Sequence, residues 1–347
     1  MVDFSEPIDI AGLEVKNRFV MPPMVRSLAS EDGSVTDAVI QHYEDRSRGQ
    51  VGLIIVEAAA IAWEHRIGMK NIGIHDDRLI PGLKRLADGI KAHGARAFIQ
   101  INHSGSKTHF NTRYVGPSNI PVVKHKIPEP LSLEEIYDIT QKFVDATRRA
   151  MEAGFDGVEI HGAHYYLLSE FLSGYTNRRN DEYGGTTKKK AKFSVEVIRA
   201  IRRELGDYPL IFRMNGVENV ENGITIDEGI EIAKIIEHAG IDVLHISCVV
   251  DSTFNPGLPP VFDKESQPDF LKDYPYDSCI PIAGKIRPHV SVPVIGVGEV
   301  RDAILVKKVE RDNMCDMLGI GRGLLADPYF IQKILEGHEE DIIPWKE

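Results

Sequence analysis

The run His161-Gly-Ala-His164-Tyr-Tyr166 sets two imidazoles three residues apart with a phenol two positions further on. Three readings of it compete. As metal ligands the histidines need further donors; Glu57, His103 and His245 are candidates, but the HxH and HExxH spacings of zinc sites are absent. Such a chain would be a metal-dependent hydrolase or lyase. As a core pair the two rings would hydrogen-bond to each other and do no chemistry. As substrate ligands they would aim two N–H groups at one oxygen on which charge develops, with Tyr166 supplying a proton. That set polarises a carbonyl. No lysine stands at the end of an expected strand, which disfavours a Schiff-base aldolase.

Arg213 ends an apolar run, where an uncompensated cation is costly and asks for an anionic partner. A carboxylate such as Glu159 would make a structural salt bridge. The electron-rich edge of a reduced flavin, negative around N1 and the C2 oxygen, would give the guanidinium a function. Gln100 carries both acceptor and donors, matching the edge of a pyrimidine-like ring or simply capping a strand. Two late strands end in glycines, Gly298 and Gly321-Arg322, where bare backbone N–H groups and a following helix suit a phosphate and Arg322 adds a two-pronged charge. Singly, each is an ordinary tight turn; as a pair at the seventh and eighth strands they favour phosphate.

These residues need a scaffold that brings strand ends together. Apolar, β-rich runs recur at Asn17–Met21, Val51–Glu57, Ala97–Ile101, Asp156–Ile160, Leu210–Met214, Asp242–Ile246, Val292–Gly296 and Asp316–Ile320. Helical periodicity fills the gaps: Ile136, Ile139, Phe143, Ala146 and Ala150 share a face behind a Ser132/Glu135 capping box, and Thr225/Glu228 opens another helix. Gly49, Gly94, Gly154, Gly206 and Gly240 stand where helices return to strands, as left-handed caps. Eight alternating units in 347 residues predict a single-domain (β/α)8 TIM barrel over residues 1–347. Three strand-to-helix loops, Asn102–Leu131, His161–Thr187 and Ser247–Tyr276, are long, as expected where an active site sits at the strands' C-terminal ends. No GxGxxG follows the first strand, so a doubly wound dinucleotide fold is disfavoured.

Composition narrows the partners. A chain of 42% hydrophobic and 27% charged residues buries a large core without disulfides or metal. Its net charge of −11 argues against nucleic acid or anionic membrane, and the run Lys188-Lys189-Lys190-Ala-Lys192 reads as a solvated helix start. The longest apolar stretch, Gly52 to Trp63, falls short of the ~18 to 20 residues that span a bilayer. The N-terminus lacks a secretory pattern, and three widely spaced cysteines suit a reducing, cytoplasmic setting with no iron–sulfur spacing. Redox chemistry here would need an organic cofactor.

The stretch His161-Gly-Ala-His-Tyr-Tyr-Leu-Leu-Ser-Glu-Phe-Leu-Ser-Gly-Tyr-Thr-Asn-Arg-Arg-Asn-Asp-Glu-Tyr-Gly-Gly185 resembles the signature of the old yellow enzyme family of FMN-dependent NAD(P)H oxidoreductases. Lys16-Asn-Arg-Phe-Val-Met-Pro-Pro-Met24, Gly52-Leu-Ile-Ile-Val-Glu-Ala58, Ile99-Gln-Ile-Asn-His-Ser-Gly105 and Gly319-Ile-Gly-Arg-Gly-Leu-Leu-Ala-Asp-Pro328 extend the likeness along the chain in the same order. The resemblance implies that Pro23, Met24, Ala58, Gln100, Arg213, Gly298, Gly321 and Arg322 hold FMN. It implies that His161 and His164 bind a carbonyl oxygen, with Tyr166 as proton donor. The implied activity is that of an ene-reductase: hydride passes from NADH or NADPH through flavin N5 to an activated alkene, with no metal and as a possible homo-oligomer. Three positions depart from the pattern. Val25 stands where many members carry Cys or Thr, Ser106 where Arg is usual, and Gly174 where Pro is usual. The Asn-Arg-Arg-Asn-Asp-Glu-Tyr-Gly-Gly run is similar to the 2,4-dienoyl-CoA reductase branch, of which this chain would be a barrel-only version.

Overall fold

Eight short strands pair in parallel and close on themselves in the computed structural model, which describes residues 2–110, 113–250, 259–276 and 278–345. The strands are β1 Phe19–Met21, β2 Leu53–Ala60, β3 Arg96–Asn102, β4 Gly157–Gly162, β5 Leu210–Glu218, β6 Val243–Val249, β7 Val294–Val297 and β8 Met317–Gly319. Closure comes from β8 against β1, Leu318 beside Phe19 and Gly319 beside Val20. The helices that follow them in turn are α1 Asp37–Arg48, α2 Ile80–Lys91, α3 Leu133–Glu152, α4 Lys192–Leu205, α5 Ile226–Ala239, α6 Ile280–Ile286, α7 Ala303–Asp312 and α8 Phe330–Glu336. This is the expected (β/α)8 architecture. No helix among the described residues is long and apolar enough to cross a membrane.

Strand side chains alternate between two environments, as a two-residue period demands. Val20, Leu53, Ile55, Phe98, Ile211, Val243, Ile295 and Met317 form one cluster in the lower barrel interior. Their sequence neighbours, Ile54, Ala97, Phe212, Leu244, Val294 and Leu318 among them, pack outward beneath the helices. An antiparallel hairpin, Ile8–Ile10 with Leu13–Val15, joins the interior cluster through Ile10 and Val15 and plugs that end. It is not among the eight strands expected from the sequence; Ala11-Gly12, both at positive φ, is a two-residue turn between alternating segments.

Climbing two residues along each inward face changes the chemistry. Phe98 is succeeded by Gln100, Ile211 by Arg213 and Val243 by His245. The barrel is thus apolar at the bottom and polar at the C-terminal ends of its strands. Several strands run past their expected ends, β5 by four residues and β6 by three, because their terminal positions still pair. Two register shifts interrupt the ladders, between Val56 and Ala59 in β2 and between Ser247 and Val249 in β6. Bulges of this kind re-aim side chains. Ser247 and Cys248, consecutive in sequence, accordingly both face one cavity.

Both predicted capping boxes form, at Ser132/Glu135 and Thr225/Glu228. Gly94, Gly154, Gly206 and Gly240 have positive φ as expected. Gly49 does not: its φ is −73°, and the left-handed residue is Gln50. Glycine is required at 49 for space, since a Cβ there would lie 1.9 Å from the Pro328 carbonyl oxygen. The long loops emerge where expected, carrying the short helix Leu167–Leu172 after β4 and Asp269–Lys272 after β6; residues 251–258 of the third loop lie outside the described residues.

Candidate active site

Four inward side chains build the polar floor. Gln100 Nε2 donates to Glu159 Oε1 at 2.7 Å, and Glu159 Oε2 meets His245 Nδ1 at 2.6 Å, all three within the barrel. A carboxylate only accepts, so Gln100 must turn its NH2 toward Glu159 and its carbonyl oxygen the other way. Burial pulls the His245 pKa down, with the charge of Glu159 opposing, so this contact is an imidazole–carboxylate hydrogen bond. Arg213 stands between the neighbouring strand positions His161 and His245. The structural salt bridge between Arg213 and Glu159 considered above does not form. Both Glu159 oxygens are committed elsewhere, and among the described residues no carboxylate lies within ion-pair distance of Arg213. Its Nε is buried without a partner. Burial lowers its pKa from the ordinary value, Glu159 and Tyr166 opposing, yet a guanidinium stays charged.

The histidines stand beside it. The His161 and His164 rings meet edge to face with centroids 5.2 Å apart, and His161 meets Tyr166 at 4.8 Å. His161 Nδ1 receives the Ala163 N–H at 3.3 Å, which leaves its proton on Nε2. His164 is held by its backbone N–H donating to Asn215 Oδ1 at 3.1 Å and by Nε2 against Ser247 Oγ at 2.6 Å. His164 and Tyr165 both adopt positive φ, 62° and 55°, uncommon for side-chain-bearing residues and a sign that the turn is over-determined by its surroundings. Burial, then the charge of Arg213, pushes both histidine pKa values well below the ordinary range. The rings are neutral. Burial raises Tyr166 to about 12, so it keeps its proton.

Sequence reading missed two neighbours. Lys107 Nζ donates to the His164 carbonyl at 3.0 Å and lies 5.0 Å from the Tyr166 ring centre, with its pKa pushed to about 8 by burial. Glu170, fully buried, takes Ser106 Oγ and the Ser106 N–H, and burial raises it to about 8. His-Ser-Gly-Ser-Lys107 follows β3 by five residues, so distance from the strand end concealed the lysine.

Pro23, Met24, Ala58, Gln100, Arg213, Gly298, Gly321 and Arg322 line one cavity of about 550 Å³ together with His161, His164 and Tyr166. All eleven predicted residues are therefore brought together. Val25 lines the same wall. Gly298 has φ +138°, and a Cβ there would come within 2.7 Å of the Cys279 nitrogen; one at Gly321 would press on Met24 Sδ at 3.1 Å. Arg322 and Arg301 are both paired with Glu299 at this rim. The third departure also has a reason: a Cβ at Gly174 would lie 2.8 Å from the Asn222 oxygen.

Among the described residues no three His, Cys, Asp or Glu side chains gather as metal ligands. The donors once considered are used elsewhere: His103 stacks on His65, His245 holds Glu159, and Glu57 receives the Arg26 N–H. The cysteines correct an expectation. Cys248 and Cys279, read as reduced from their number and spacing, form a disulfide, and both line the cavity; Cys315 alone is free.

Comparison with known proteins gives a concordant result. Residues 3–341 match the model of the NADH:flavin oxidoreductase / NADH oxidase family. An NADH oxidase of Thermoanaerobacter brockii is 39% identical over 345 residues, 96% of this chain and 50% of that one. The chain thus spans half the length of that relative. An NADPH dehydrogenase of Geobacillus sp. (strain WCH70) is 37% identical over 328 residues, covering 93% of this chain and 91% of its own. Among solved structures, a 2-naphthoyl-CoA reductase in complex with 2-naphthoyl-CoA superposes with a TM-score of 0.88 at 28% identity, over 99% of this chain and 53% of that one.

Proposed function

The chain belongs to the NADH:flavin oxidoreductase / NADH oxidase family, the old yellow enzyme group, and from that membership and the cavity above we propose that residues 1–347 form one FMN-binding ene-reductase unit. The single observation that carries the reading is Arg213, a buried cation with no carboxylate partner among the described residues, facing a cavity shared with a neutral histidine pair. The donor set fits FMN. Gln100 offers an acceptor toward a ring N–H, Arg213 an unmatched positive charge toward an electron-rich ring edge, and Gly298 with Gly321 leave backbone exposed for a phosphate. Pro23, Met24 and Ala58 supply the apolar wall. A volume of about 550 Å³ falls within the ordinary range of small-molecule sites.

Held by Gln100, Arg213, Gly298 and Gly321, FMN would supply hydride-transfer chemistry between NAD(P)H and an α,β-unsaturated carbonyl compound. The chain's own residues do the rest. His161, with its proton fixed on Nε2, and His164, braced by Ser247 and Asn215, hold the carbonyl oxygen as neutral donors and draw charge onto it. Their depressed pKa values keep both rings uncharged across neutral pH. Tyr166 retains its proton until the α-carbon becomes basic enough to take it. Lys107, over the phenol ring, favours the phenolate left behind. The metal-dependent alternative gains no support from either the family match or the donor geometry.

Purified protein should carry yellow FMN at one equivalent, lose the colour anaerobically on addition of NADH or NADPH, and regain it on addition of an enone. Colourless protein that does not quench the fluorescence of added FMN would refute the reading. Bleaching that is reversed by oxygen but not by any enone, nitroalkene or dienoyl thioester would retain the flavin and reject the alkene.

A further inference from the structure

We propose that the Cys248–Cys279 disulfide is a thiol–disulfide exchange site that controls how tightly the pocket holds its cofactor. The inference rests on the reading of the cavity as an FMN site. Its substrate class is a dithiol: two electrons and two protons pass to Cys248 and Cys279, the S–S bond breaks, and the dithiol closes to its own disulfide.

The argument is one of placement. Cys248 occupies the bulge of β6, directly after Ser247, whose hydroxyl braces the His164 ring at 2.6 Å. Cys279 precedes α6, and its N–H donates to the Val297 carbonyl at 3.1 Å, beside the Gly298 turn. Ser278 Oγ donates to the Gly298 oxygen at 3.3 Å, and the Cys279 nitrogen lies 2.7 Å from where a Gly298 Cβ would be. The bridge therefore ties the strand end that orients a substrate histidine to the turn assigned to phosphate. It spans 31 positions of sequence, so cutting it loosens the tie between these two walls while leaving every barrel strand paired. Both residues are almost entirely buried yet border the cavity, so exchange must occur from the side the cofactor would fill. Coupling follows by reciprocity: if reduction weakens FMN binding, bound FMN must oppose reduction by the same factor. Cys315 takes no part; it lies fully buried beneath Gly296, and burial raises its thiol to about 12.

The full chain, air-oxidised, should show one thiol on denaturation with a thiol reagent and three after treatment with a dithiol. FMN titrated by fluorescence quenching should bind about tenfold more weakly to the reduced protein, and saturating FMN should shift the bridge's equilibrium with a dithiol buffer by that same factor. Cys248→Ser/Cys279→Ser should bind like reduced wild type and ignore dithiol, whereas Cys315→Ser should respond like wild type. Three thiols in the air-oxidised chain, or a double-serine variant that binds like the oxidised protein, would overturn the proposal. Equal FMN affinity in both redox states removes this inference alone. Absence of FMN binding in both states removes the flavin reading and this inference with it.

Discussion

Replacing Arg213 by methionine separates a functional cation from a structural one. A structural guanidinium would have a buried carboxylate partner, and deleting one member of such a pair costs about 3–5 kcal/mol. Arg213 lacks that partner among the described residues, because Gln100 and His245 occupy both oxygens of Glu159. Exchanging a buried, unmatched ion for an apolar side chain of similar length removes an uncompensated desolvation cost and should be neutral to stabilising, by analogy with whole buried pairs whose replacement gains about 1–4 kcal/mol. The cavity side of Arg213 is open to water, so the lower half of that range, about 1–2 kcal/mol, is expected for the apoprotein. The cofactor-bound state should behave oppositely. Two charge-assisted hydrogen bonds from the guanidinium fork, at about 1.5–3 kcal/mol each, amount to roughly 10²- to 10⁴-fold in the FMN dissociation constant. Urea unfolding of the apoprotein and FMN fluorescence titration measure the two effects independently. An apoprotein Arg213→Met variant destabilised by about 3 kcal/mol or more would show a broken structural pair, and an unchanged FMN affinity would remove the assigned role. The variant carries an internal check. After burial, Arg213 is the largest influence holding His161 and His164 below their ordinary pKa, so both should rise in it, readable by NMR of the ring protons.

His161→Ala combined with His164→Ala should leave FMN binding intact while lowering enone turnover by about 10² to 10³; intact turnover would contradict the assignment. Gly298→Ala must place a methyl 2.7 Å from the Cys279 nitrogen at φ +138°, so it should lose about 2–4 kcal/mol of stability and FMN affinity together, seen by thermal melting and titration. Glu170→Gln tests the buried acid. Its folded pKa of about 8 exceeds the ordinary carboxylate value, so the folded state keeps a proton that the unfolded chain releases between about pH 4.5 and 8. Wild-type stability should therefore fall relative to the glutamine variant as pH rises through that window, by about 3–5 kcal/mol in total, and parallel pH profiles in urea melts would sink the assignment.

The barrel was legible because its strands and helices keep their periods almost without exception, and its site was legible because inward positions at strand ends carry the wrong residues for a core. Arg213, Gln100 and His161 announce themselves as polar interruptions of apolar runs. What escaped had no such contrast. The Ile8–Val15 hairpin is too short to outweigh its neighbours, and Gly49 is explained by the Pro328 carbonyl, almost three hundred residues away in sequence. Lys107 and Glu170 lie on loop segments whose side chains are aimed by tertiary contacts, and the partners of a disulfide across 31 positions cannot be read from spacing. The Ser106 departure became intelligible only with Glu170 in view. The arginine usual at that place would offset a carboxylate charge, whereas serine leaves Glu170 to be neutralised by protonation.

The same logic runs through the whole site. Burial moves Glu57 to about 7, Glu170 to about 8 and Lys107 to about 8, and it holds His161, His164 and Tyr166 in their neutral forms. Groups able to shed their charge are pushed toward doing so. A guanidinium cannot, so Arg213 is left as the fixed charge at the floor. At the rim Glu299 pairs with both Arg301 and Arg322. The described cavity lining carries three arginines and one glutamate, within a chain whose net charge is −11. Such a concentration of positive charge in a concave, partly desolvated site acts at short range, where screening by salt is weak and the acidic exterior is distant. Arg213 at the floor should therefore favour an occupant that brings negative charge along a planar edge. Neutral aromatics of the same size would leave Arg213 unmatched and should be excluded on that ground.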